Sequence, residues 1–376
     1  MKISIITVCY NSKLTIERTI ESVIRQDYED VEYIVIDGGS TDGTVDIIKK
    51  YAKNISYWVS EADQGIYDAM NKGIGKATGE VVAFLNSDDW YPENILSEAA
   101  REFMTDEMQI LCGEMYIHQN GQMTRWHIKE KKMKQQLRIR MGFSHPAMFV
   151  RRILFDKYGK FDTQYQIVAD YDWLLRVFDH HVPIAVTDKV FCNFSHGGIS
   201  TKDEMLESHL MERKQVSLQA LNRNTELTES EKAEWRERIE LENIRDKCAY
   251  RMQNILMSNI FDSDSGALTK IRRILPQECY SVFGCGAMGK QVVYILEKAG
   301  ICIAQIWDNN EKVWGNYING IKICNPEKLD ANKEMVIIAS VEYENEIELQ
   351  LMEKGFVKDV HYILYSKLRE MIVDAV

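Results

Sequence analysis

Three groups of acidic residues stand where hydrophobic runs give way to polar turns, and carboxylates so placed can do chemistry. The sharpest is Asp88 with Asp89 in "EVVAFLNSDDW", residues 80–90. Adjacent like charges repel, so the pair is costly unless a cation or solvent stands in front of it. Asp37 closes "VEYIVID", and Glu61 and Asp63 follow "SYWVS". Several carboxylates with few basic groups suit a divalent cation that also holds a diphosphate. Mg²⁺ and Mn²⁺ prefer carboxylate oxygens and share their shell with phosphates. A blander account of Asp88 and Asp89 is helix capping, since Asp is a good N-cap and Pro92 favours a first turn.

The elements around these groups alternate. "ISIITVCY" reads as a strand, and "KLTIERTIESVIRQ" carries Leu14, Ile16, Ile20, Val23 and Ile24 on one helical face. The strands "VEYIVID", "SYWVSE" and "VVAFLNSDD" alternate with the helices "VDIIKKYA" and "GIYDAMNKGIGKA". This βαβα order predicts an α/β fold with a mostly parallel sheet and helices on both faces. Such sheets bind ligands beyond the carboxyl ends of their strands. Asp37, Glu61/Asp63 and Asp88/Asp89 all fall at such ends.

A chain of 376 residues is long for one core, so two or more domains are expected. A net charge of −11 argues against a nucleic-acid binder. Eight cysteines without a CxxC pair or zinc spacing predict reduced thiols and a cytoplasmic setting. No apolar run approaches the roughly 18 residues that span a bilayer, and "MKISIITVCYNS" is too briefly apolar for a signal peptide. From Lys202 to about Leu268 the chain is charged, amphipathic and nearly free of Gly and Pro, predicting two long helices. Thr228 and Glu231 have the spacing of a capping box at the second. Residues 201–260 thus form a connector or a contact between copies of the chain. Three parts are expected: 1–200, a helical connector 201–268, and an α/β domain 269–376.

"TVCYN", "IDGGSTDGT", "SEADQGIYDAMNKGIGKATGE" and "AFLNSDD" follow one another in an order that resembles the family 2 glycosyltransferases of GT-A fold. The likeness is to bacterial enzymes of cell-surface polysaccharide synthesis, and it runs over roughly residues 1–200. It implies inverting transfer from a nucleotide-diphosphate sugar to a hydroxyl, with Mn²⁺ or Mg²⁺ as cofactor and a glycan or lipid-linked acceptor. In that light "NSDD" is the metal motif, with Asp88 the ligand and Asp89 a secondary candidate. Asn86 stands where the family commonly has Asp. Asp37 matches the acid that contacts the nucleotide, although Gly38 replaces a usual second Asp. Thr7, Tyr10 and Asn11 would line the nucleotide, and Asp63, Asn71 and Lys72 the diphosphate and sugar, each with turn or helix capping as the alternative.

The segment "FSHPAMFVRRILFDKYGKFDTQYQIVADYDWLLRVF" resembles the family's acceptor side, and Asp170 matches its catalytic base. Inversion needs such a carboxylate to take the acceptor proton as the nucleotide leaves opposite. Asp172 reads instead as a charge at a helix N-terminus. "FSHGGIS", residues 194–200, resembles a closing loop, from which His196 could approach the metal or diphosphate.

"QMTRW", residues 122–126, matches the QxxRW of processive synthases but precedes the base and follows an Asn-Gly turn, so it reads as an edge hairpin. The basic run 127–140 is either a solvated helical face or a peripheral contact with anionic lipid at the inner face of the membrane. In "FGCGAMG", Gly284, Gly286 and Gly289 lie between a strand and a helix, with Asp308 ending the next strand. That is the context of a dinucleotide fingerprint, and the segment resembles small Rossmann-like modules of sugar-modifying enzymes. It offers one mononucleotide-sized half. Tyr294 and Lys298 sit on the helix directly after the glycines rather than on a later one, as a short-chain dehydrogenase would require. NAD(P) chemistry there, on a sugar-nucleotide-binding protein, is therefore the weaker alternative to transfer.

Overall fold

The structure, a computed structural model, describes all residues except 104–107, 120, 131–132, 134–135, 198–204, 258–264, 332, 341–342 and 376. The chain divides into two compact units, Met1–Asn243 and Ile244–Val376.

The first unit is built on eight strands: β1 (Ile3–Cys9), β2 (Val31–Asp37), β3 (Tyr57–Ser60), β4 (Val81–Phe84), β5 (Ile110–Gln119), β6 (Gln122–Trp126), β7 (Met148–Arg151) and β8 (Ile184–Ser195). Their order is β3-β2-β1-β4-β7-β5-β6, with β8 on β5. The half made by β3, β2, β1 and β4 is parallel. Beyond it β7 runs antiparallel to both β4 and β5, so the sheet is mixed rather than parallel throughout. Every residue of β1 is buried. Ile6 and Val8 join one hydrophobic core, and Ile3, Ile5 and Cys9 the other. Burial of each such aliphatic side chain stabilises the fold by roughly 1.5–3 kcal/mol. Helices cover both faces, which is why the strands read as continuous apolar runs.

QMTRW forms the edge strand β6, paired antiparallel with β5. In the basic run, Arg138 pairs with Asp179 at 2.8 Å, Arg140 pairs with Glu242, and Leu137 and Ile139 are buried. Lys131, Lys132 and Lys134 lie outside the described residues. Two long helices follow as expected, Leu206–Arg223 and Glu229–Met257. The capping box is formed: Thr228 Oγ1 accepts from the Glu231 amide at 3.3 Å, and Glu231 accepts from the Thr228 amide at 2.8 Å.

The second unit has six strands: β9 (Cys279–Phe283), β10 (Cys302–Trp307), β11 (Tyr317–Ile318), β12 (Ile321–Cys324), β13 (Val336–Ile338) and β14 (Tyr362–Leu364). Their order is β11-β12-β10-β9-β13-β14, parallel except for the short β11. Gly284 has φ +111°, and a Cβ there would lie 2.8 Å from the Ala339 carbonyl oxygen. A Cβ on Gly289 would collide with the Gly284 carbonyl, so these glycines set how closely helix Ala287–Lys298 meets β9.

Candidate active site

A cleft of about 460 Å³ opens at the carboxyl ends of β1 and β4. Among the expected site residues it gathers Tyr10, Asp63, Asp88 and Asp170. Each of the two acidic pairs is divided by the fold, one member facing the cleft and the other committed to structure.

At the end of β4 the chain turns through Asn86–Asp89. Asp88 is half-buried on the cleft wall, whereas Asp89 is 0% exposed and its Oδ1 accepts the Ser195 amide at 2.9 Å. Ser195 Oγ donates to the Asp88 carbonyl at 2.8 Å, and Arg18 donates to the same carbonyl at 2.8 Å while lying over the Trp90 ring. These bonds tie the end of β8 to the acidic turn. Neither Asp caps a helix, because the next one begins at Ile95 behind Asn94. Burial lifts the Asp88 carboxyl above its usual range, with Arg18 opposing; burial and then the Asp88 charge lift Asp89 well above it.

Asp170 and Asp172 lie in the first turn of helix Ala169–Phe178. Asp170 reaches the cleft, and its Oδ1 lies 2.9 Å from the Tyr67 hydroxyl, which shares its one proton with the Ile167 carbonyl at 2.6 Å. Asp172 is 2% exposed and both its oxygens are engaged, by Arg176 Nε at 3.0 Å and Arg223 at 3.1 Å. Asp172 locks its helix to Leu206–Arg223 and has no access to a substrate.

Asp37 lies at the end of β2, buried, with Ser60, Ser40 and the amides of Gly39 and Ser40 as donors. Burial opposes its ionisation, yet these bonds outweigh burial and hold the carboxyl below its usual range. It shapes the loop that follows. Asn11 holds the same loop, receiving the Thr41 amide at 2.9 Å. A Cβ on Gly38 would stand 2.5 Å from Asp63 Oδ2, so the Asp63 carboxylate fills the space a second Asp would need. Thr7 is fully buried and receives the Tyr33 hydroxyl at 3.1 Å. Asn71 bonds both the amide and the carbonyl of Phe161, and Lys72 pairs with Glu61 at 3.0 Å and Asp68 at 3.5 Å. His196 is exposed just past β8, and its amide donates to the His118 carbonyl. Of the closing loop, residues 198–200 lie outside the described residues.

The sequence reading passed over Tyr67 and His145, both on the cleft wall. Each stands inside a motif already singled out, "GIYDAMN" and "FSHPAM", but nothing in those spacings relates either to Asp170.

The profile of glycosyl transferase family 2 matches residues 4–159. The PGL/p-HBAD biosynthesis glycosyltransferase of Mycobacterium bovis (strain BCG / Pasteur 1173P2) is 32% identical over 189 residues, covering 49% of this chain and 72% of that protein. The chain belongs to glycosyltransferase family 2. Its fold agrees. A crystal structure of S. aureus TarS 1-349 in complex with UDP has a TM-score of 0.51 at 21% identity, covering 64% of this chain and 70% of that one. A second structure of TarS 1-349 has a TM-score of 0.52 at 18% identity, covering 73% and 86%. This glycosyltransferase also matches a profile described as C2185-like, N-terminal, over residues 279–360.

A divalent cation can be tested against the oxygens of the acidic turn. Asn86 Oδ1 is buried without a hydrogen-bond partner, and Asn86 lines the same cleft as Asp88. One carboxylate and one amide oxygen suit a hard cation that takes its other ligands from a diphosphate and water. Among the described residues no group of three or more His, Cys, Asp or Glu could hold a metal, and such a cation needs none.

In the second unit the glycine turn borders a cavity of about 680 Å³ that Asp308 also lines. Asp308 accepts the Cys285 and Asn310 amides, each at 2.8 Å, and so braces the glycine turn.

Proposed function

We propose that this family 2 glycosyltransferase moves a sugar, with inversion, from a nucleotide-diphosphate sugar to a hydroxyl on a glycan or lipid-linked acceptor. The observation that carries the reading is that Asp88 and Asp170 line one cleft while Asp89 and Asp172 are committed to the fold. Asp170 takes the acceptor proton, the acceptor oxygen bonds to the anomeric carbon, and the bond from that carbon to the diphosphate breaks on the opposite side. The Tyr67 hydroxyl orients Asp170 for this step. Asp88 and Asn86 Oδ1 would hold a divalent cation, which when bound supplies positive charge to the departing diphosphate. Asp63 and Tyr10 form the donor wall beside the loop that Asp37 and Asn11 shape. The UDP held by TarS in its crystal structure is in keeping with a nucleotide donor. Residues 269–376 serve as a Rossmann-like module with a structural or regulatory role.

The test is incubation of the full chain with a panel of nucleotide sugars and Mn²⁺, scoring nucleotide release and the anomer formed by NMR. Release with one donor and an inverted product is expected. No release with any donor, or a retained anomer, refutes the reading.

A further inference from the structure

A buried polar atom without a partner marks something that the packing alone does not account for. His145 Nε2 is such an atom. The ring stacks on Phe84 with centroids 5.0 Å apart and meets Phe161 edge-on at 5.7 Å. Phe161 is in turn pinned by Asn71. A phenyl ring would fill the same space, so the aromatic walls fix the imidazole without using its nitrogens.

His145 and Asp170 both line the cleft, and the same two residues share a small void of about 10 Å³ whose other walls are apolar or aromatic. That volume is close to the least that holds one water, and a water needs at least two polar partners. The polar side chains lining it are His145 and Asp170, besides the Trp173 indole. Burial disfavours the charged imidazole, so the ring is neutral with one N–H. Asp170 Oδ1 already faces the Tyr67 hydroxyl. The cleft wall also carries Cys9, Tyr10, Asp63 and Asp88, and Glu212 accepts the Ile167 amide, but none of these lines the small void. Trp173, which does line it, gives its indole N–H to the Gly159 carbonyl, so within the void His145 is the side chain able to donate towards Asp170.

We infer that His145 is a positioning residue for Asp170. Its Nε2–H donates, through one water in the shared void, to the Asp170 carboxylate and fixes the orientation in which that carboxylate meets the acceptor hydroxyl. The acceptor proton still goes to Asp170, and His145 stays neutral throughout. The kinetic consequence rests on the transferase reading above; the hydrogen bond does not.

Two measurements test this on the full chain. In protein labelled with ¹⁵N-histidine, the ring resonances lost in His145→Phe belong to His145. They should show the Nε2–H tautomer and move in Asp170→Asn. An Nδ1–H tautomer, or resonances indifferent to Asp170→Asn, overturns the inference whether or not the protein turns over. In kinetics, His145→Phe should lower kcat about 10- to 100-fold with donor KM unchanged. His145→Gln, whose amide reaches the ε position, should recover most of that, and His145→Asn should not. Wild-type kcat in His145→Phe overturns the inference. Should that variant not fold, equal kcat in the Gln and Asn variants overturns it instead. A wild-type chain inactive with every donor counts against the transferase reading alone, and the NMR result then decides.

Discussion

Replacing Asp172 by Asn separates structure from chemistry in the "ADYDW" segment. The carboxylate is 2% exposed and receives Arg176 and Arg223 at 3.0 and 3.1 Å. A hydrogen bond to a charged group contributes about 1.5–3 kcal/mol, and breaking a fully buried pair costs about 3–5 kcal/mol. Both arginines are partly exposed, at 22% and 42%, so water can hydrate them once released. Arg176 also keeps its bonds to the Tyr158 and Lys160 carbonyls. The estimate therefore falls to about 2–3 kcal/mol, or about 5–10 °C in Tm for a unit of this size. Thermal unfolding followed by circular dichroism measures that shift, and the residual transfer rate below the transition should stay near wild type. Asp170→Asn should do the reverse: Tm nearly unchanged, donor binding intact, kcat lower by roughly 10²–10⁴. A dead Asp172→Asn at unchanged Tm, with Asp170→Asn active, would refute the assignment of the base.

Asp88→Ala should weaken binding of the donor's nucleoside diphosphate about tenfold or more in Mn²⁺, while calorimetry in EDTA should find it equal to wild type. Chelation should abolish transfer, and full activity in EDTA would remove the cation from the mechanism. Asp37 has its carboxyl held low by Ser40 and Ser60 against the cost of burial, so its contribution is complete above the ordinary carboxylate range and is lost as pH falls through the depressed value. Urea unfolding should show Asp37→Asn less stable at neutral pH by about 2 kcal/mol, with the gap to wild type closing below about pH 4. A gap that persists or widens in acid would contradict the sign. Gly289→Ala must push helix Ala287–Lys298 off the Gly284 carbonyl, and should destabilise the unit Ile244–Val376 by about 1–3 kcal/mol in denaturant titrations.

The alternation of strand and helix was legible because both faces of the sheet are covered, so β1, β2 and β4 read as largely apolar runs, with acid at the ends of β2 and β4. The β5–β6 pairing and the Thr228/Glu231 box were legible because each is made within a few residues. The family likeness and the helix position favoured Asp88 and Asp170, but what the sequence did not display is what commits Asp89 and Asp172 to the fold. Asp89 is settled by Ser195, and Asp172 by Arg223, partners far away along the chain. Tyr67 meets Asp170 across a similar gap. Gly38 is a case in between: its departure from the family pattern was visible, but its cause, the Asp63 carboxylate, appears only in space.

The turn at Asn86–Asp89 also bears on how such an enzyme can vary. It packs two carboxylates side by side, offset only in part by Arg18, and so holds like charge close together in the unliganded fold. Neutralising Asp88 relieves some of that repulsion, whereas Asp89 also holds the Ser195 amide. A library selected for heat tolerance alone would drift towards an amide or alanine at 88, and on the reading proposed above its most robust members would have lost transfer. Stabilising this enzyme without silencing it means holding Asp88 fixed and seeking gains elsewhere in the sheet.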